Sequence, residues 1–248
     1  RITPGKIIDA LEAGGKGTIT VASACTMAGI VAGCITSTGL ASKLLRAIVS
    51  ASGGVMIVAL LLTMVCCIVL GMGVPTTATY CIMAATCAPI LMSPDIGVEM
   101  LAAHFFVFYF GIVADITPPV ALAAYAGAAI AKAGPMKTAF NASRLAIAAF
   151  IVPYIIAMNP AMLFINTTIP EVVMITITSI IGIFGVAAGL SGFVFRDMKW
   201  WERILCIVGG LTLLVPGSLT DLIGLVLVGA VCVLGYQAAK KEKEMLTA

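Results

Sequence analysis

Two short segments of this sequence set glycine, proline and hydroxyl side chains inside long apolar runs. The first is Gly71-Met-Gly-Val-Pro-Thr-Thr77 and the second is Asp115-Ile-Thr-Pro-Pro119. In the first, Gly71 and Gly73 permit unusual backbone angles and close approach, Pro75 removes a backbone donor, and Thr76 and Thr77 add hydroxyl oxygens. In the second, Pro118 and Pro119 free the carbonyls one turn upstream, and Thr117 again offers a hydroxyl. In hydrocarbon, a free backbone N–H or C=O costs several kcal/mol, so unwound backbone survives there only under protein or around a watery cavity. The chemistry on offer is the binding of ions and solutes. Half-helix C-terminal ends and freed carbonyls suit Na⁺, and half-helix N-termini suit an anionic group. A pair of packing kinks would use the same residue types, but two such breaks about 40 residues apart favour a site.

Asp115 is the one charged residue deep within an apolar segment, which makes it a functional candidate by default. It could coordinate a cation, carry a proton, or cap a second half-helix that Thr117-Pro-Pro would begin. His104 opens the aromatic stretch His-Phe-Phe-Val-Phe-Tyr-Phe110 near a membrane boundary and reads as an interfacial or packing histidine. Trp200 and Trp201 beside Arg203 read as an interfacial anchor. The eight cysteines lie in apolar runs without a C-x-x-C pair, so they read as small packing residues. There is no P-loop and no nucleophile motif; nothing marks an enzyme.

The elements that must carry these segments follow from composition. Of 248 residues, 61% are apolar and 10% charged, with a mean hydropathy of +1.16. A soluble domain normally carries about 25% charged residues. The class is therefore an all-α polytopic membrane protein. Residues 1–16 read as a short amphipathic interfacial helix, with Thr3 as N-cap and Pro4 at its first position. An apolar run covers about 18–38. The stretch 53–93 fits either two helices or a re-entrant hairpin with residues 71–77 at its middle. Residues 100–131 form one broken helix, and spans follow at about 145–164 and 172–195. Two last runs cover about 204–215 and 219–238, the first of them short for a crossing.

Charge gives an orientation. If residues 53–93 return to the side they entered from and both last runs cross, residues 1–16, 132–144, 196–203 and 239–248 share one face. That face holds twelve of the fourteen Lys and Arg residues, leaving Lys43 and Arg46 on the other. The positive-inside bias makes the rich face, with residues 1–16 and the C-terminus, cytoplasmic. The missing initiator Met and the polar opening suggest a piece of a longer polypeptide.

Gly71-Met-Gly-Val-Pro-Thr-Thr-Ala-Thr-Tyr80, Ala102-Ala-His-Phe-Phe-Val-Phe-Tyr-Phe110, Ile116-Thr-Pro-Pro-Val-Ala-Leu-Ala-Ala-Tyr125 and Asn159-Pro160 together resemble the fused permease subunit of tripartite ATP-independent periplasmic (TRAP) transporters. More narrowly, the sequence resembles the branch served by TAXI-type binding proteins, and Trp200-Trp201 and Pro216-Gly-Ser-Leu-Thr-Asp221 also look like that branch. The likeness runs from about residue 4 to 165. It implies an elevator-type fold of two inverted repeats, each with a re-entrant hairpin and a broken helix. Residues 17–165 would be the second repeat, with its hairpin at about 53–93 and its broken helix at about 100–131. Residues 166–248 would be a C-terminal transmembrane extension. The resemblance further implies an inner-membrane importer of small organic anions, such as carboxylates, in bacteria or archaea. A sodium gradient would drive it and a periplasmic solute-binding protein would supply it. The first half of the permease would complete the solute site. One Na⁺ would sit between hairpin tip and unwound joint, with Gly73, Thr76, Thr77 and Thr117 as candidate ligands. No cofactor beyond the coupling ion is implied. Two other readings stand beside this one: a proton- or sodium-coupled permease working without a binding protein, and a non-transporting membrane scaffold.

Overall fold

The computed structural model describes residues 3–165 and 167–247 and divides into two compact units, residues 1–139 and 140–248. In the first unit the helices are α1 (Pro4–Ser37), α2 (Leu40–Ser52), α3 (Met56–Leu70), α4 (Thr76–Thr86), α5 (Ala88–Leu91), α6 (Met100–Val113) and α7 (Leu122–Ala131). A 3-10 turn, Ala114–Ile116, extends the C-terminal end of α6.

The separation of residues 1–16 from the apolar run is not what the chain does. Pro4–Ser37 is one continuous helix of 34 residues. No proline follows Pro4 within it, the Thr18 and Thr26 hydroxyls bond back to the Gly14 and Ala22 carbonyls, and Gly14, Gly15 and Gly17 cost only about 1 kcal/mol each against alanine, too little to break a helix on their own. At 1.5 Å per residue it rises about 51 Å, well beyond a hydrocarbon core of about 30 Å. Its end is abrupt: Gly39 takes the left-handed conformation at φ 66°, and the segment Cys25–Ser37 bends 68° into Leu40–Ser52.

Within 53–93 neither arm is long enough to cross. Met56–Leu70 rises about 22 Å and Thr76–Leu91 about 24 Å, both short of about 30 Å. Both arms pack on α6, which runs through the middle of this unit. Ala102, Ala103, Phe106, Val107 and Phe110 of α6 are fully buried, and the Phe106 and Phe110 rings lie 4.7 Å apart. Glu99 starts α6: its Oε2 accepts from Leu101 N at 2.7 Å and Ala102 N at 3.3 Å, satisfying two orphan helix donors.

The second unit contains α9 (Ile147–Met158), α10 (Ile169–Ser191), α11 (Trp200–Thr212) and α12 (Ser218–Thr247), and α8 (Pro135–Leu145) leads into it. Two-residue strands β1 (Phe193–Val194) and β2 (Arg196–Asp197) form a small antiparallel ladder. Glycine sets the packing here. A Cβ on Gly182 would lie 2.9 Å from the Gly210 carbonyl, and one on Gly210 would lie 2.6 Å from the Gly182 carbonyl. Gly182, Gly185 and Gly189 thus form a small-residue stripe along α10 on which α11 lies at backbone distance. At the C-terminal end of α10, the Arg203 guanidinium donates to the Gly189 and Leu190 carbonyls at 3.0 Å, and Arg144 donates to Leu190 as well. Two cations therefore sit on the negative end of that helix.

Ile169–Ser191 and Leu219–Ala238 are each long and apolar enough to cross a membrane; two bent helix pairs would add two more spans among the described residues. Helix α11, with 13 residues, rises only about 20 Å. Large apolar side chains face outward in both units, Ile130 at 87% and Ile180 at 62% exposure among them. Water would not tolerate that surface, and lipid does. The chain is an all-α polytopic membrane protein.

Candidate functional site

The candidate site is built where the α3–α4 hairpin meets the end of α6. Helix α3 ends because Gly71 is followed by three irregular residues, with Gly73 in the left-handed region at φ 72°. Pro75, with ψ 142°, then holds the chain extended before α4. Pro75 gives α4 no side-chain cap, and the first helical backbone donor paired inside the turn is Thr79 N, to the Pro75 carbonyl at 2.9 Å. The N–H groups of the first turn of α4 therefore carry the positive end of that helix dipole. The carbonyl end of α3 lies at the other side of the same turn.

The second break forms for a different reason. Pro118 and Pro119 have no N–H, so the carbonyls of Ala114 and Asp115 lose their helical donors. Thr117 N recovers the Ala114 carbonyl at 3.2 Å, and the Thr117 hydroxyl donates to the Val113 carbonyl at 2.6 Å. The Asp115 carbonyl is left without a helical donor. The Pro118–Pro119 bond is cis. Tyr125 Oη donates to the Pro119 carbonyl at 2.6 Å, tying the break to the helix that follows.

Gly71 joins the two breaks. A Cβ built on Gly71 would lie 3.0 Å from Ala114 Cβ and 3.0 Å from the Gly111 carbonyl oxygen. One on Gly111 would lie 3.0 Å from Thr79 Cγ2 and 3.1 Å from Met83 Sδ. The hairpin tip thus rests on the last turn of α6 at a distance where any Cβ would push its neighbours aside, directly beside the Ala114–Ile116 turn. A second tie is the Tyr80 hydroxyl, 3.0 Å from His104 Nδ1, which links α4 to α6. His104 is therefore a half-buried histidine with a packing partner.

Gly71 is buried at the contact, whereas Gly73, Pro75, Thr76, Thr77 and Pro119 are exposed. Asp115, Thr117 and Pro118 are half-buried. Among the described residues, the Thr76, Thr77 and Asp115 side chains make no hydrogen bond or ion pair. The capping role considered for Asp115 does not hold. Helix α7 begins at Leu122, not at Thr117, and its N-cap is Ala121 at φ 37° without a side-chain bond. Two successive prolines keep Thr117 extended at φ −103° and ψ 126°, which delays the helix.

Three residues of this junction escaped sequence reasoning. Thr79, 1% exposed, donates its hydroxyl to the Val74 carbonyl at 3.1 Å and closes the tip. Its signal was present, since it is the third threonine in Thr-Thr-Ala-Thr79. Gly111 and Ala114, small residues in an aromatic helix, are placed by tertiary contact alone.

A chain of apolar helices with two broken elements packed on each other belongs to the class of multi-pass membrane proteins. Residues 1–172 match the family described as tripartite ATP-independent periplasmic transporter, DctM component, and residues 172–227 match a domain of unknown function, DUF3394. The chain belongs to the DctM family. No curated protein and no solved structure matches it.

Proposed function

We propose that this chain carries the second inverted repeat of a sodium-coupled TRAP permease of the TAXI-associated branch, importing small organic anions. Residues 53–93 act as the re-entrant hairpin and 100–131 as the broken helix, and residues 166–248 form a transmembrane extension. The observation that carries the proposal is the glycine contact of Gly71 with Gly111 and Ala114, which puts tip and joint side by side. Unpaired carbonyl character at Asp115, the α3 carbonyl end and the hydroxyls of Thr76, Thr77 and Thr117 supply oxygen ligands of the kind Na⁺ takes. The free first turn of α4 supplies N–H groups of the kind a carboxylate takes.

Each Na⁺ entering would contribute about 2.3 kcal/mol per 100 mV of membrane potential, plus its concentration term. A periplasmic binding protein delivers the solute, and a first repeat completes the solute site. The charge asymmetry supports an inner-membrane orientation with residues 1–16 and the C-terminus cytoplasmic. The test is uptake of labelled carboxylates into proteoliposomes holding the intact permease, with and without binding protein. A Na⁺ gradient should drive uptake. If a proton gradient alone drives it, the sodium assignment fails and Asp115 becomes the coupling group.

A further inference from the structure

Away from the hairpin, the second unit forms a half-open cavity of about 240 Å³ between α9, α10 and the loop joining α11 to α12. Most of its wall comes from the region matched to the domain of unknown function. Its α10 side is a helical stripe: Glu171, Met174, Ile175, Thr178 and Ser179 recur at the three- and four-residue spacing of one face. Glu171 on the first turn of α10 and Asp221 on the first turn of α12 are both wall residues, and Asn159 adds an amide. Ser179 stands eight residues below Glu171, about 12 Å along the axis.

Helix dipoles would account for first-turn carboxylates at two helix N-termini. They do not account for Ser179. It is 4% exposed and lines the cavity, and its hydroxyl makes no hydrogen bond among the described residues. Thr178 beside it is already spent on the Ile175 carbonyl at 3.1 Å. With no protein partner and its residue nearly covered, that hydroxyl is open only toward the cavity and is available to a polar group bound there. The rest of the wall, Ile155, Met174, Ile175 and Leu214 among it, is apolar.

We propose that this cavity is a binding site for a primary ammonium on a short aliphatic stem whose far end carries a polar group. The ammonium lies at the carboxylates Glu171 and Asp221 with the Asn159 amide oxygen as a further acceptor. The stem runs along the apolar wall, and the distal polar group meets the Ser179 hydroxyl. Other ligand classes fit less well. An anion would meet two carboxylates. A quaternary ammonium wants an aromatic face, and the wall contains no aromatic ring. Calcium wants six to eight oxygens, and here one Glu171 oxygen already accepts from Thr167 at 2.8 Å while thioether and aliphatic groups fill the wall. Free amines and the ethanolamine headgroup of a phospholipid share the required chemistry.

The test uses the purified full-length permease in phosphatidylcholine nanodiscs and isothermal titration with three probes: pentylamine, aminopentanol with its hydroxyl at the far end, and pentyltrimethylammonium. Aminopentanol should bind about five-fold tighter than pentylamine, and the trimethyl compound at least ten-fold weaker than pentylamine. Ser179→Ala should erase the difference between the first two probes while pentylamine binding stays. Asp221→Asn should weaken both amines about ten-fold. If either variant fails to fold, the ranking of probes on the unaltered protein still decides. Equal binding of the primary and trimethyl compounds, or no binding of either amine, overturns the proposal. Competition by phosphatidylethanolamine nanodiscs assigns the ligand to the lipid headgroup, and its absence assigns it to a free amine.

Discussion

Replacing Gly71 by alanine probes the contact on which the functional reading depends. Gly71 has φ −80° and ψ −9°, ordinary for any residue, so the substitution carries no backbone strain. Its effect is steric. The new Cβ would lie 3.0 Å from Ala114 Cβ, 3.0 Å from the Gly111 carbonyl and 3.1 Å from the Cys67 carbonyl. Two of these three neighbours are backbone oxygens, which cannot swing aside as a flexible side chain would. Overpacking of this kind costs about 1–3 kcal/mol, against which removing glycine from the unfolded chain returns about 0.4–1 kcal/mol. The net, about 1–2 kcal/mol, shifts the closed tip–joint arrangement by about 5–30-fold. Sodium-driven uptake in proteoliposomes should fall by that order, with a parallel drop in the thermal midpoint of the purified protein. Adding Ala114→Gly removes one of the three contacts and should restore part of the loss. Gly73→Ala makes the complementary control: no atom lies within 4 Å, but φ is +72°, so it should cost about 1–2 kcal/mol that Ala114→Gly does not recover. Wild-type uptake and stability in Gly71→Ala, or equal rescue of both variants by Ala114→Gly, would refute the contact as described.

Thr117→Val keeps volume but removes the hydroxyl that bonds Val113, and should raise the Na⁺ concentration needed for half-maximal uptake about ten-fold. Thr138→Val, at an exposed hydroxyl bonded to the Gly134 carbonyl, should leave it unchanged. In the second unit, Arg196 Nη2 and Glu202 Oε1 lie 2.6 Å apart with Glu202 only 4% exposed. Either Arg196→Met or Glu202→Met alone should destabilise by about 3 kcal/mol in chemical unfolding, and the double variant by less, because neither charge is then left unpaired. Gly210→Val should cost about 3 kcal/mol or more, since even a Cβ there meets the Gly182 carbonyl at 2.6 Å and Val186 N at 2.7 Å. Gly229→Ala in α12, with nothing within 4 Å, should be neutral or stabilising by up to about 1 kcal/mol.

What was legible in the sequence was punctuation. Gly71–Thr77 and Asp115–Pro119 stand out because glycine and proline act locally, through φ and the missing N–H, whatever packs around them. The breaks in the structure fall at those segments for that reason. The restart of the second helix was not legible. Thr117-Pro-Pro has the composition of a helix start, but the extended Thr117 and the left-handed Ala121 push α7 on to Leu122. Nor was the continuity of Pro4–Ser37, where polarity changes along the helix without any residue able to stop it. Gly111, Ala114 and Thr79 matter only through what they touch, and touching is decided by tertiary structure. The Arg196–Glu202 pair was hidden for the same reason: in sequence it is a polar loop beside two tryptophans, and only the fold buries the carboxylate and makes Glu202 a capping partner for Lys199 N at 2.8 Å.

Tip and joint are proposed together to hold a coupling sodium ion that drives delivery from a binding protein. The most direct measurement is uptake of labelled carboxylates into proteoliposomes containing the intact permease, in four conditions: with and without an inward Na⁺ gradient, each with and without the cognate binding protein. Uptake only when both are present, reduced at least ten-fold by Thr77→Val, is the predicted result. Uptake that proceeds without Na⁺, or that Thr77→Val leaves at the wild-type rate, would contradict it.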